Sequence, residues 1–488
     1  MITVTEYKNQ KVGVFGLGKA GEAAVTALTR GGAEVCAWDD RLSSASHLAG
    51  EGRDVGSVSS NNQNTPHNNM FTPHPNPPPQ GGREILEPVQ GGREFKIPFS
   101  EWEWSELKAL VLSPGVPLTH PKPHPVVELA NKHNVPVIGE VELLFRAQPQ
   151  VTYVGITGTN GKSTTTTLIG HILKESGVTC EVGGNLGTPA LALAPLGKGG
   201  VYVLEMSSYQ LDLMKSVRFN VAVLLNITPD HIDRHGDMTG YIAAKKHIFE
   251  RQTAGDVAVV EKVVSSQLPV ASKLVEISAD LELENGVYVK DGILHDGKIK
   301  FDISNIVSLT GKHNWQNAAA AYAVCRAVGV SPEKIYSAMQ SFAGLRHRMQ
   351  NVRTINGVRF VNDSKATNAD ATSNALAAYD NIYWIVGGKP KEGGISSLGE
   401  YFPKIAHAFL IGEAAAEFAK TLEGKVAYTD CGTLDVAVAK AAKQSSEVGG
   451  QGAGVVLLSP ACASFDQFKS FEHRGDIFCE LVEKINGS

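Results

Sequence analysis

Short apolar runs, each ending in glycine or a small polar residue, punctuate most of the chain. The first is Lys11–Gly16 (KVGVFG), followed by a glycine-rich turn at Leu17–Gly21 and a helical stretch reaching Arg30. A second run, AEVCAWDD, covers Ala33–Asp40. Strand, turn, helix and strand in that order predict a βαβ unit and a parallel sheet with flanking helices. The pattern returns at ALVLSPGV (Ala109–Val116) and VPVIGEVELLF (Val135–Phe145). A second segment opens at VTYVGITG (Val151–Gly158), has a helix from Lys162, and continues through VYVLEMSS (Val201–Ser208) and VAVLLNIT (Val221–Thr228). NAAAAYAVCRAVG (Asn317–Gly329) has helical spacing and precedes FAGLRHR (Phe342–Arg348). VRFVND, NIYWIVGG, HAFLIG and GVVLLSPA then form a third segment of the same kind. Apolar runs without alternation suit strands buried on both faces.

Between about Gly50 and Ser100 this order collapses into a polar stretch rich in Pro, Gly and Asn, with QGGRE repeated at Gln80–Glu84 and Gln90–Glu94. Proline removes backbone donors and disfavours helix before it, so no regular element is expected there. A surface insertion over 51–99 is the reading, because closure entropy grows only logarithmically with loop length.

Composition narrows the class. A chain of 488 residues is too long for one ordinary core and implies several domains. A net charge of −5 asks for neither nucleic acid nor an anionic membrane as partner. No stretch approaches the ~20 apolar residues that span a bilayer, and MITVTEYKNQKVGVFG does not read as a secretory leader. The six cysteines, without a CxxC pair, suit a reducing cytoplasm.

Gly158-Thr-Asn-Gly-Lys-Ser-Thr164 lies between an apolar run and a helix, as a phosphate loop requires. Glycines let backbone amides curl around an anion, and the helix N-terminus adds partial positive charge. Lys162 can reach terminal phosphates, and the Ser163 hydroxyl can ligate Mg²⁺. The usual G-x-x-x-x-G-K-[ST] spacing would need glycine at Ile156, so the loop belongs to a particular subgroup. A metal also needs carboxylates. Glu205 ends VYVLE, and an unpartnered glutamate on a buried strand is costly, so Mg²⁺ ligation is favoured there. His231, in NITPDHID, is equally readable as a metal ligand or a structural histidine. Spacing alone assigns no role to Lys245 or Lys246 in YIAAKKHIF.

Gly16-Leu-Gly-Lys-Ala-Gly21 is a G-x-G-x-x-G turn after a strand, with Asp39 and Asp40 ending the next strand to meet a ribose. NAD is the default ligand for such a turn, which keeps a nicotinamide dehydrogenase as the rival reading. Two nucleotide sites in one chain suit an enzyme that uses ATP on a nucleotide-linked substrate.

The ordered set TGTNGKST, LEMSSYQL, NITPDHIDRH, YIAAKK, GKHNWQN, GLRHR, NDSKATN and SPACASFDQF resembles the Mur ligase family. NDSKATN and SPACASFDQF are similar to its D-glutamate-adding branch. The resemblance implies an α/β chain of three domains. These are a Rossmann-like domain at 1–148 for the UDP end, a central P-loop ATPase domain at 149–344, and a Rossmann-like domain at 345–488 for the amino acid. It implies an ATP-dependent ligase that joins D-glutamate to UDP-N-acetylmuramoyl-L-alanine through an acyl phosphate, for peptidoglycan synthesis. It further implies two Mg²⁺ ions and a cytoplasmic monomer.

Residue by residue, the resemblance gives Gly158, Thr159, Asn160, Gly161, Lys162, Ser163, Thr164, Asn317, Arg348 and Asp363 to ATP. Metal falls to Ser163, Glu205, His231 and a carbamylated Lys245; Lys162, His231 and Lys245 would be catalytic. Gly16, Gly18, Lys19, Ala20, Asp39, Asp40, Gly115 and Asn185 would bind the UDP substrate. Ala20 departs from the Thr that family members often carry. Lys365, Thr367, Lys391, Ser464 and Phe471 would bind D-glutamate. A dehydrogenase leaves the phosphate loop unexplained, and a folylpolyglutamate-type ligase would lack the first glycine turn. A scaffold would bind ATP without hydrolysis. Cys462, with no histidine near it in sequence, reads as a packed turn residue rather than a nucleophile.

Overall fold

Where each strand stops decides where chemistry can collect in this chain. A computed structural model describes residues 1–42, 92–266, 270–391, 393–447 and 454–485. Its strands form three sheets. The first runs, in spatial order, Arg93–Lys96, Glu34–Trp38, Lys11–Phe15, Leu107–Leu112 and Val137–Ile138, all parallel. The chain builds outward on one side of Lys11–Phe15 and then returns to the other, so a crevice opens beyond Phe15 and Leu112.

The central sheet is parallel from Cys180–Gly184 through Val201–Glu205, Thr152–Thr157, Val221–Leu224, Val257–Glu261 and Lys273–Ser278 to Val287–Lys290. Two antiparallel strands, Ile293–Asp296 and Ile299–Asp302, extend that edge. Thr152–Thr157 lies between Val201–Glu205 and Val221–Leu224, again at the point where the winding reverses. The third sheet orders Gln350–Ile355, Val358–Asn362, Val455–Leu458, Ile382–Gly387, Ile405–Ile411 and Tyr428–Gly432. Only its first pair is antiparallel.

One part of the insertion reading is corrected. Arg93–Lys96, inside the stretch expected to lack regular structure, pairs in parallel with Glu34–Ala37 as an edge strand. Averaged over a proline-rich window, REFK is invisible; four exposed residues need only backbone partners to join an edge. Residues 43–91, with the QGGRE at Gln80–Glu84, lie outside the described residues.

Burial follows side-chain period. In the third sheet Ile382, Trp384 and Val386 enter one core, while Tyr383 and Ile385 enter the core on the opposite face. The first two sheets instead share a core, with Val12, Val14 and Leu28 in the same apolar cluster as Tyr153, Leu204 and Phe219. Each such side chain contributes about 1.5–3 kcal/mol through burial. Helix Glu140–Ala147 and the turn Ala190–Ala192 sit at the join, and the Ile2 amide donates to the Leu191 carbonyl at 2.9 Å. No helix among the described residues is long and apolar enough to cross a membrane.

Candidate active site

Strand Thr152–Thr157 delivers the chain to Gly158, and helix Lys162–Glu175 begins after Gly161. Gly161 has φ +83°, and a Cβ there would lie 2.3 Å from the Asn317 Oδ1, so only glycine fits the turn. The loop is held from the neighbouring strand. Asn226 Oδ1 accepts from the amides of Thr159 (3.0 Å) and Asn160 (2.8 Å), and its Nδ2 donates to the Asn160 carbonyl. Within NITPDH nothing in the sequence gives Asn226 a role; its signal is its place just beyond strand Val221–Leu224, which pairs with the loop's own strand.

Two amines converge on one carbonyl. Lys162 Nζ donates to the carbonyls of Gly158 and Thr159, both at 2.8 Å, and Lys245 Nζ donates to Gly158 at 2.8 Å. Lys245 is 1% exposed and lies 4.6 Å from the Tyr241 ring centre. Burial, and then the nearby Lys162, push its amine down to about 7. Lys162 is also lowered by burial, with Arg348 and Lys365 acting in the same direction and Glu205 and Asp230 against them. Burial and Arg348 likewise lower Lys365. Cations from the central and third sheets therefore face one another, opposed by Glu205 at Lys162 and Lys365, by Asp230 at both central lysines, and by Glu472 at Lys365.

Glu205 ends strand Val201–Glu205 and is 3% exposed. Its Oε1 accepts from Asn185 Nδ2 at 2.8 Å, while its buried Oε2 has no hydrogen-bond partner. An orphaned carboxylate oxygen at the end of the strand that pairs with Thr152–Thr157, the strand leading into the loop with its buried Ser163, fits one divalent cation with hard oxygen ligands. Asn185, expected at the muramoyl group, orients Glu205. His231 starts the short helix Ile232–His235 in the left-handed region (φ 54°) and is half-exposed, with Nε2 3.4 Å from Asp230. No group of three His, Cys, Asp or Glu residues among the described residues is gathered for a metal.

A cavity of about 220 Å³ joins the loop to the third sheet, lined by Asn160, Gly161, Thr164, Asn317, Arg348 and Asp363 among others. Asp363 follows strand Val358–Asn362; its carboxylate accepts from Ser459 Oγ (2.8 Å) and the Met349 amide (3.1 Å). Complete burial pushes that carboxyl up to about 7, opposed by these hydrogen bonds and Arg348. A larger cavity of about 500 Å³ lies alongside, but none of the residues predicted for the site lines it.

The residues expected to hold an amino acid lie at the carboxyl edge of the third sheet. Lys365 and Thr367 follow Asp363, Ser464 follows strand Val455–Leu458, and Lys391 follows Ile382–Gly387. Phe471 opens helix Phe471–Glu483, and its carbonyl accepts from Ser364 Oγ. Arg474, on the same helix and unremarkable in the sequence, is 1% exposed. It donates to Ser364 Oγ (3.0 Å) and the carbonyls of Ser364 (2.9 Å) and Cys462 (3.1 Å), binding two of these loops together. Cys462 is fully buried, and burial pushes its thiol up to about 12, which suits packing and not nucleophilic attack.

At the first glycine turn the Leu17 amide donates to Asp39 Oδ2 at 2.7 Å. Arg41 pairs with Asp39 and holds its carboxyl well below the usual range. Asp40 meets His124 Nε2 at 3.0 Å. Gly16 packs against Ser113, and Gly18, Lys19 and Ala20 carry the chain into helix Lys19–Arg30. Gly115 lies in the loop after strand Leu107–Leu112.

Residues 156–325 match the Mur ligase middle domain, and residues 347–462 match the Mur ligase, glutamate ligase domain. The UDP-N-acetylmuramoylalanine–D-glutamate ligase of Paramagnetospirillum magneticum is 47% identical over 494 residues, covering 100% of this chain and 99% of its own. The ligase of the same name from Rhodospirillum rubrum is 47% identical, covering 99% and 97%. Among solved structures, the UDP-N-acetylmuramate-alanine ligase MurC of Thermotoga maritima superposes with a TM-score of 0.53 at 16% identity, over 97% of this chain and 99% of that one. The MurF ligase of the same organism in complex with ADP gives 0.52 at 18% identity, over 99% and 97%. At such identities the likeness is one of fold.

Proposed function

The chain belongs to the Mur ligase family, and from that premise we propose that it uses ATP to join D-glutamate to UDP-N-acetylmuramoyl-L-alanine. The observation that carries the reading is the set of cations at the phosphate loop: the buried Lys245 beside Lys162, with Arg348 and Lys365 brought against Lys162 from the third sheet. A site with this excess of positive charge is built for a polyanion. The 47% identity with ligases of that name along the whole chain supports the choice of substrates.

A carboxylate cannot form an amide directly, because oxide is a poor leaving group. The muramoyl-alanine carboxylate attacks the γ-phosphorus of ATP, the bond to the β-phosphate oxygen breaks, and ADP leaves an acyl phosphate. The D-glutamate amine, having lost a proton, then attacks the acyl carbon, and phosphate departs with the bonding pair. Lys162 neutralises charge on the transferring group, and such neutralisation dominates catalysis of phosphoryl transfer. Mg²⁺, held by Ser163 and Glu205, would supply further neutralisation and orient the phosphates. His231 and, as a carbamate, Lys245 would hold a second Mg²⁺. Lys245, whose amine titrates near neutrality, is suited to take up CO₂ as a carbamate.

Asn160, Asn317, Arg348 and Asp363 line the nucleotide cavity. Lys365, Thr367, Lys391, Ser464 and Phe471 take the dianionic amino acid, for which cationic partners are needed. The first glycine turn and Gly115 take the UDP end, with Asn185 between it and Glu205. Boundaries near residues 148 and 344 separate the three domains. We place the enzyme in the cytoplasm as a monomer, in keeping with six unpaired cysteines.

The test is phosphate release with ATP, Mg²⁺, UDP-N-acetylmuramoyl-L-alanine and a panel of L- and D-amino acids. D-Glutamate alone should support release and yield the amide. Release with another amino acid, or none with any, overturns the assignment.

A further inference from the structure

A single side chain links the two substrate regions. Arg234, three residues beyond His231, donates from Nη1 to the Gly115 carbonyl (2.9 Å) and from Nη2 to the carbonyls of Pro114 (3.3 Å) and Val116 (3.1 Å). These carbonyls belong to the loop that leaves strand Leu107–Leu112 of the first sheet, whereas Arg234 belongs to the central one. The loop is anchored at its other end by the first glycine turn: the Ser113 amide donates to the Phe15 carbonyl at 2.9 Å, and the Ser113 side chain fills the space a Cβ on Gly16 would take. On the central side, the Arg234 amide donates to the His231 carbonyl at 3.1 Å. The guanidinium lies 4.4 Å from the centre of the Tyr209 ring, which in turn packs 5.1 Å from His231.

The chemistry of the contact is specific. Three neutral carbonyls in one short loop are gathered by one planar fork of donors, a geometry that the point charge of lysine cannot reproduce. Nothing lies within 4 Å of where a Cβ on Gly115 would be, so the loop presents its glycine to open space while its carbonyls are held from behind.

Resting on the proposed function, we propose that Arg234 is a positioning residue for phosphoryl transfer: it locks the Pro114–Val116 loop, on the UDP side, to the His231 segment, on the ATP side. The acceptor carboxylate and the γ-phosphate then meet in register. In-line attack tolerates little misplacement, and a shift of about 1 Å costs on the order of 10²-fold in rate.

The experiment compares Arg234→Lys and Arg234→Ala with the wild type by steady-state kinetics, varying ATP and UDP-N-acetylmuramoyl-L-alanine separately. Arg234→Lys keeps the charge and serves if Arg234→Ala fails to fold. Both variants should lose about tenfold or more in kcat, with KM for ATP changed by less than about twofold. A merely structural arginine would lower the melting temperature and leave the constants of the folded enzyme alone; wild-type kcat in Arg234→Lys overturns the inference. Backbone hydrogen exchange of the ligand-free protein gives a readout that needs no substrate. Exchange at the Val116 amide, which donates to the Ser113 carbonyl at 3.0 Å, should rise in Arg234→Lys, and unchanged protection there also overturns the inference. A wild type inactive with all three substrates would count against the proposed function instead, and exchange would still decide the role of Arg234.

Discussion

The chain makes the same backbone turn twice. Strand Lys11–Phe15 passes through glycines into helix Lys19–Arg30, and strand Thr152–Thr157 passes through glycines into helix Lys162–Glu175. Both stand where a parallel sheet reverses its winding. They differ in the charges that other elements bring. At the first, Asp39 takes the Leu17 amide and Arg41 balances Asp39, so the turn is electrically satisfied by its own chain. At the second, two lysines crowd the Gly158 carbonyl, Arg348 and Lys365 add like charge, and Glu205 and Asp230 oppose them only in part, so that Lys162 and Lys245 are still held below the usual lysine range. A glycine pattern specifies backbone shape; the surrounding charge selects the ligand. The first turn suits the neutral edge of a nucleoside, and the second suits phosphates.

Removing the charge from the second turn should therefore have the largest effect. Lys162→Ala is expected to lower kcat/KM for ATP by at least about 10³-fold, roughly 4 kcal/mol of transition-state stabilisation. Stability should not fall with it. The ammonium is desolvated and faces like charges, so its loss relieves repulsion, and the melting temperature should stay level or rise. Phosphate release and thermal denaturation measured on the same preparation check both halves. Full activity in Lys162→Ala would make the two turns equivalent and remove the basis of the comparison.

The glycines themselves give a smaller contrast. At Gly161 a methyl group meets Asn317 Oδ1 at 2.3 Å in a backbone with φ +83°. Holding alanine there costs about 1–3 kcal/mol of strain, which the loop can relieve by moving. Gly161→Ala should raise KM for ATP about tenfold, with modest loss of stability. At Gly21 the methyl would lie 1.9 Å from the Gly16 carbonyl, between a helix and the turn it packs on. Gly21→Ala should lower the melting temperature first and leave KM for ATP unchanged. ATP titration and melting curves on the pair separate the two roles; equal losses of stability would show that both glycines serve packing alone.

Most of this was legible from residues in order. Apolar runs located the strands at Lys11, Ala109, Val151, Val201 and Val221, because strands buried on both faces need them. The loop at Gly158–Thr164 was legible because its glycines, lysine and hydroxyls are contiguous. Arg93–Lys96 was missed because an edge strand needs no apolar face. Asn226, Arg234 and Arg474 were missed for another reason. Each acts by hydrogen bonds to carbonyls or amides far away in sequence, and a polar residue that will bond to distant backbone looks like any surface residue until the sheets assemble. The partnerless Oε2 of Glu205 is likewise a property of packing, although the cost of burying that glutamate was readable from its strand.

The smallest expected effect tests the first turn where the ligand would touch it. Gly18 has φ −79° and ψ −173°, a conformation open to any residue, and a Cβ there meets nothing within 4 Å. The fold therefore does not demand glycine at this position. Alanine is a poorer helix N-cap than glycine, which costs at most about 1 kcal/mol. If the UDP end of the substrate lies against this backbone, a methyl group must hold it away. Gly18→Ala should then raise KM for UDP-N-acetylmuramoyl-L-alanine several-fold, about 1 kcal/mol of binding, while KM for ATP and for D-glutamate stay within about twofold. An unchanged KM would mean that the middle glycine of G-x-G-x-x-G has no ligand over it. The resemblance between the two turns would then be one of backbone alone, and the UDP end would have to be sought beside the Ser113–Val116 loop.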